Sequence, residues 1–253
     1  MAAAAAVPPQ DPQQPAALSE PQRIIDTFIA PTKTFTDLRR SAAWWAPFLI
    51  SAIVSVCFVA VAGQKVGFRK IWDNQLQSQP KQAERIENMP ADQREPMIAK
   101  QVAATKIFSY CFFLFILIWN LLVAAVLLAT LKFALSADVK FKTLLAMVMY
   151  ASLPGALKAI LAILSLLAGV SSDSFTFQNP LATNPGYFID PATSPALYRL
   201  MTSFDIFTIW TLVLGAVGIT CISKVKSGAA FAVVFGWFAV LVLLGAGVGA
   251  LFS

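Results

Sequence analysis

From Ser41 to Gln64 the chain runs for 24 residues without a charged side chain. An apolar, uncharged run of about 18 residues or more is long enough to cross a bilayer as a helix. The run is not alone, because Ile107 to Leu131 adds 25 further residues free of charge. Lipid offers no partner to backbone amides and carbonyls, so such runs must be helices that satisfy themselves. Composition points the same way: 58% of residues are hydrophobic and 13% charged, against about a quarter charged in soluble domains. A soluble globular fold is excluded.

The expected fold is therefore all-α, a polytopic membrane protein built as a bundle of five transmembrane helices with an amphipathic N-terminal segment. The spans fall at about 44–63, 107–131, 144–170, 206–223 and 229–251, within a membrane domain of residues 41–253. Trp44 and Trp45 open the first span as interfacial anchors. A polar segment from Lys65 to Lys106 carries eight basic and five acidic residues and is divided by Pro80, Pro90 and Pro96. Short surface helices are expected there, the last feeding into the second span. The loop from Ser171 to Phe204 contains Asn179-Pro180 and Asn184-Pro185-Gly186, which are turn formers, so it reads as irregular.

Residues 1–18 are mostly Ala, Pro and Gln, with Asp11 as the single charge, and read as a disordered tail rather than a signal peptide. Residues 19–40 read as a cytoplasmic amphipathic segment. Ser19 with Gln22 fits a capping box, and Pro21 suits a first turn. Ile24, Ile25, Phe28 and Ile29 then recur at helical spacing before Pro31, and Phe35, Leu38, Arg39 and Arg40 follow. One or two short helices in the head-group region would use this pattern, and so would an ordinary solvated linker.

Two short connections carry Lys132, Lys140 and Lys142, and then Lys224 and Lys226, against Asp138. The loop after the third span carries Arg199 against Asp173 and Asp190. The positive-inside rule puts the N-terminus in the cytoplasm, although the basic 65–106 segment then lies on the opposite side.

Histidine is absent, which removes imidazole metal sites, Ser-His and Cys-His nucleophile pairs and His proton relays. Cys57, Cys111 and Cys221 are scattered singly in apolar stretches and read as small packing residues. No cofactor or metal is expected. The net charge of +6 forms no compact basic block, so it reads as topology and lipid attraction, with the bilayer as partner and no nucleic acid.

Polar residues inside the membrane are the remaining candidates. Asn120 sits near the centre of the second span, where interhelical packing is its expected role. Tyr150, Pro154 and Lys158 lie four apart on one helical face, either as a pathway or hinge or as a packed kink in which Pro154 frees the Tyr150 carbonyl. Lys158 and Asp205 fall at similar depth on consecutive helices. They would pair, or else Lys158 snorkels and Asp205 caps its helix. Along the fourth span Asp205, Thr208, Thr211, Gly215 and Gly218 form a small and polar stripe, and Gly245 with Gly249 forms a GxxxG.

Three stretches are shared with a known family: RIIDTFIAPTKTFTDLRR (Arg23 to Arg40) leading to WWAPFLI, YASLPGALKAIL (Tyr150 to Leu161), and SFDIFTIWTLVLGAVGI (Ser203 to Ile219) before a basic turn and a last apolar helix. In these the chain resembles the Yip family, the Ypt-interacting-protein domain, from roughly Arg23 to Leu251. The resemblance implies a five-helix membrane protein with a cytoplasmic N-terminus. The long 65–106 and 171–204 connections are similar to those of the bacterial-type branch, for which the inner membrane is implied. Eukaryotic relatives act in traffic from the endoplasmic reticulum to the Golgi by binding Rab-type GTPases, and a bacterial relative would have no such partner.

With one carboxylate at a plausible membrane depth, no catalytic pair can be assembled. The expected function is a non-enzymatic scaffold or adaptor that engages lipid or a membrane or cytoplasmic protein. The alternative is a small transporter or permeability-modulating protein with a polar site around Lys158 and Asp205.

Overall fold

The computed structural model describes residues 17–77, 79–169, 175–191 and 193–252. Of the expected tail, 1–18, all but residues 17 and 18 lie outside this description, as does the end of the expected third span at residue 170.

The chain opens with two short helices, α1 (Glu20–Ile29) and α2 (Pro31–Asp37). Ser19 and Gln22 form the capping box: the Gln22 amide donates to Ser19 Oγ at 3.4 Å, and the Ser19 amide donates to Gln22 Oε1 at 3.0 Å. Pro31 ends α1 because it cannot donate to the ladder, and it starts α2 at a first-turn position where no donor is needed. Arg23 lies against Asp37 and Thr34, so the two helices form an antiparallel hairpin turned at Ala30.

The remaining helices are α3 (Trp45–Lys65), α4 (Phe68–Gln77), α5 (Pro80–Glu87), α6 (Ala91–Tyr110), α7 (Phe112–Leu135), α8 (Phe141–Ala151), α9 (Leu153–Leu167), α10 (Pro195–Ser203), α11 (Ile206–Ile222) and α12 (Ser227–Phe252). Gly67 takes a φ of +87° in the turn between α3 and α4, a conformation that an L side chain would strain. Four crossings are long and apolar enough to span a membrane: α3, α7, the α8–α9 unit and α12. A fifth results when α10 and α11, bent by 48° at the break between them, count as one span. The chain is an all-α, multi-pass integral membrane protein.

Two apolar stretches differ from their simplest sequence reading. The third span is two helices broken at Ser152, whose hydroxyl donates to the Met149 carbonyl at 2.8 Å. The break falls two residues before Pro154, which then occupies the first turn of α9, where its missing N–H costs nothing. The fourth apolar stretch, read as a lone span, is a 17-residue helix. At about 1.5 Å per residue this is about 26 Å, short of a hydrocarbon core of about 30 Å. It is extended by α10, in a loop that reads as irregular in sequence but is helical over Pro195–Ser203.

At the centre stands α8, buried over the whole of Leu144–Ala151. A helix that is apolar all round belongs in the interior, and α8 packs between α7 and α11, while α9 lies along α3. The hairpin is part of this core. Phe35 of α2 and Leu38, which caps its C-terminal end, are fully buried in one cluster with Leu131, Met147, Tyr150 and Ile219. The close approach of α2, α8 and α11 depends on Gly218, where a Cβ would lie 2.5 Å from Met147 Cγ and 3.5 Å from Phe35 Cδ1. Gly218→Val is therefore expected to destabilise the protein by about 1–3 kcal/mol through overpacking. Gly215, where a Cβ would sit at 3.9 Å from Val234 Cγ1, should accept Ala without loss, since Ala is the better helix former. Thermal unfolding of both variants in mild detergent distinguishes the two sites.

On the other end of the bundle, α4, α5 and α6 enclose a small apolar cluster of Trp72, Ile86 and Ile98. Ile71 of α4 packs on Ala62, Leu166 and Phe175, and the Asn74 side-chain amide donates to the Phe175 carbonyl at 2.9 Å. The polar segment between α3 and α7 is thereby tied to the loop after α9.

Candidate functional site

The intramembrane candidates do not assemble into one site. They divide between two buried polar clusters on either side of the α8–α9 junction, one at Tyr150 and the other at Lys158, eight residues or about 12 Å further along.

The first cluster is built by the hairpin. Arg23 is 2% exposed. Its Nε donates to Asp37 Oδ2 at 2.8 Å, its Nη2 lies 2.6 Å from the same oxygen, and its Nη1 lies 2.9 Å from Glu20 Oε1. The hydroxyls of Thr27 and Thr34 both donate to the Arg23 carbonyl, at 2.7 and 2.9 Å. Glu20 Oε2 in turn accepts the Tyr150 hydroxyl at 2.5 Å, which fastens α1 to the fully buried end of α8. Burial pulls the Arg23 pKa down, but the bond and charge of Asp37 and the charge of Glu20 outweigh it and hold it above the ordinary value. A guanidinium suits this position because its planar fork can serve two carboxylates at once.

The apolar residues of α1 fall on two stripes. Ile24 and Phe28 pack on the bundle, Phe28 edge-on to Trp210 at 5.5 Å between ring centroids. Ile25 and Ile29 point outward and are 56% and 74% exposed, and Arg39 and Arg40 are also exposed.

The second cluster surrounds Asp205, which caps α11 and is 3% exposed. Lys158 Nζ of α9 lies 2.8 Å from Asp205 Oδ2. The same oxygen accepts a short hydrogen bond from the Thr183 hydroxyl and a longer one, at 3.4 Å, from the Asn184 amide. Oδ1 accepts the Phe207 backbone amide at 3.0 Å. Asn184 also donates to Asn179 Oδ1 at 2.7 Å and accepts the Tyr187 amide at 3.1 Å, capping a single 3-10 turn over Pro185–Phe188. Asp205 thus does two things at once: Oδ1 caps the helix while Oδ2 holds Lys158, so capping does not leave Lys158 to snorkel alone.

Asn120 joins neither cluster. It is buried, and its amide donates to the Ile116 carbonyl one turn back in its own helix at 3.0 Å. Pro154 is buried in α9. The stripe on α11 is shared between neighbours, with Gly215 towards α12 and Gly218 towards α8 and α2. Gly245 has open space where a Cβ would point, and Gly249 falls outside the residues whose surroundings are described.

Sequence reasoning did not find Glu20, Arg23, Asp37, Thr183, Asn179 or Asn184 as members of these clusters. The signal for Asn184 was its place before Pro185-Gly186, which marks a turn but not the direction of its amide. For Arg23 and Asp37, charges flanking an amphipathic pattern read as solvated, and nothing local marks them as buried. Among the described residues no group of three Cys, Asp or Glu side chains is placed to hold a metal ion.

No curated protein and no solved structure matches the chain. The family model described as the Yip1 domain matches residues 25–248, which takes in α1 from its second turn, the cluster around Asp205 and the bundle through most of α12, while Glu20 and Arg23 of the first cluster precede the matched residues. With nearly its whole length matched by that model, the chain belongs to the Yip1 domain family.

Proposed function

We propose that the protein is a non-enzymatic membrane scaffold or adaptor that engages lipid or protein partners through the α1–α2 hairpin. In this reading the hairpin and the basic connections after α7 and α11 face the cytoplasm, and in a bacterium the protein resides in the inner membrane. One observation carries the proposal: the hairpin gathers Glu20, Thr27, Thr34 and Asp37 onto Arg23 and leaves Ile25, Ile29, Arg39 and Arg40 outward. A recognition surface gains from being held in one orientation, because less freedom is lost on binding. The carboxylates in the two clusters support the non-enzymatic reading, since Glu20 and Asp37 are engaged by Arg23 and Asp205 by Lys158.

Proximity labelling from an enzyme fused to the N-terminus tests it. A reproducible set of cytoplasmic neighbours is expected, enriched over a labelling enzyme carried by an unrelated membrane anchor. Arg23→Met, which frees the hairpin, should change that set. No enrichment over the control in any growth condition overturns the scaffold reading.

A further inference from the structure

The two helices of the hairpin present outward faces made for different solvents. The exposed residues of α1 are Pro21, Gln22, Ile25 and Ile29, of which Pro21, Ile25 and Ile29 form one stripe four residues apart, while Gln22 is held in the capping box at the helix start and Asp26 is half-buried. The exposed face of α2 carries Thr32, Lys33 and Thr36, and the chain continues into exposed Arg39 and Arg40. A helix pair wholly in water has no use for the first face, and a pair sunk in lipid has none for the second.

The register along α11 tells which solvent each face meets. Phe35 of α2 abuts Gly218, about four residues, or about 6 Å, from the Ile222 end of α11. Phe28 of α1 packs on Trp210, about twelve residues, or about 18 Å, from the same end. That end is followed by Lys224 and Lys226, which belong at the membrane surface. The C-terminal turn of α1 therefore lies beside a level of α11 that only the bilayer can surround. The apolar surface also continues past it, because Ile206, one turn before Trp210 on the same face of α11, is 61% exposed.

We propose that the outward face of α1 lies among the acyl chains of the bilayer while the outward face of α2 stays in water, so that the boundary between lipid and water follows the seam between the two helices. The proposal rests on the reading of the hairpin as the working surface of the protein and names lipid as the occupant of its apolar face. A soluble partner would have to enter the leaflet to reach Ile29. The basic residues at the end of α2 fit the same placement, since Arg39 and Arg40 would stand at the level of the lipid phosphates.

The test uses the whole protein with Cys57, Cys111 and Cys221 changed to Ala and one new cysteine at a time: Ile25→Cys, Ile29→Cys, Thr32→Cys or Thr36→Cys. All four positions are surface positions, and elution as a single species in detergent checks folding. Each variant is labelled with bimane in detergent and returned to vesicles of phosphatidylcholine and phosphatidylglycerol. Quenching is then read with an acyl-chain nitroxide lipid and, separately, with iodide on both sides. Probes at 25 and 29 should be quenched about threefold more by the nitroxide lipid than those at 32 and 36, with the order reversed for iodide. Iodide quenching at 25 and 29 equal to that at 36 overturns the lipid assignment. Nitroxide quenching of all four positions without iodide access overturns the placement of the boundary. The vesicles contain no other protein, so either failure leaves the neighbour set from proximity labelling standing on its own evidence.

Discussion

Asp205→Ala is expected to destabilise the bundle by about 3–5 kcal/mol, the range found when one partner of a buried ion pair is removed. The cost has identifiable parts. Lys158, whose side chain is 20% exposed, is left as an unpaired ammonium on a membrane helix, worth about 2.5–3.5 kcal/mol on insertion scales. The Thr183 hydroxyl and the Asn184 amide lose their shared acceptor, and α11 loses a cap worth about 1 kcal/mol. These losses overlap, so they do not sum. Asp205→Asn separates them, because Asn caps helices as well as Asp but leaves the ammonium unpaired. It should recover about 1 kcal/mol. Lys158→Asp and Asp205→Lys should each lower the folded yield, and the double exchange should recover part of it, though not the cap. Thermal unfolding and monodisperse yield in mild detergent provide the readout. Strictly additive losses in the double exchange would show that the 2.8 Å pair contributes no coupling.

The second large effect is local. Arg23→Met leaves the Asp37 carboxylate buried without its cation and removes the link from Glu20. The loss, again about 3–5 kcal/mol, should fall on docking of the hairpin rather than on insertion of the spans. Hydrogen exchange of the α1 and α2 amides in detergent micelles is expected to accelerate at least about a hundredfold, with α8 and α11 changed far less. Arg23→Lys should restore only part of the protection, because an ammonium cannot reproduce the fork that reaches two carboxylates. Adding Asp37→Leu to Arg23→Met should restore more, since removing both charges of a buried pair is often neutral where removing one is not. Unchanged exchange in Arg23→Met would mean that the contacts of Ile24, Phe28, Phe35 and Leu38 and the Tyr150–Glu20 bond hold the hairpin without the buried ion pairs.

These two clusters mark the line between what could be read along the chain and what could not. Membrane character, helical class and the approximate course of the apolar stretches follow from the sequence. Each depends on a local rule: a run of apolar residues must bury its backbone polar groups within itself to enter lipid. The Ser19 capping box is local in the same sense, since Ser19 and Gln22 are one helical turn apart. The periodicity of Ile24, Ile25, Phe28 and Ile29 identifies an amphipathic helix. It cannot tell that Ile24 and Phe28 meet the bundle while Ile25 and Ile29 turn away, because adjacent stripes look alike until a neighbour packs on one of them.

Only the tertiary structure decided which polar groups share a site. Tyr150, Pro154 and Lys158 share a helical repeat in the sequence, yet Tyr150 meets Glu20 and Lys158 meets Asp205, 130 and 47 residues away respectively, because about 12 Å of helix puts them beside different neighbours. Arg23 and Asp37 look like surface charges until α1 folds back on α2 and both are sealed against α8. The physical reason is that every span is separately content in lipid. Hydropathy therefore determines that the helices cross but is nearly indifferent to which helix stands beside which. That order comes from close contacts such as Gly218 against Met147 and from the need of each buried charge for a partner, and neither is written at any one place in the chain.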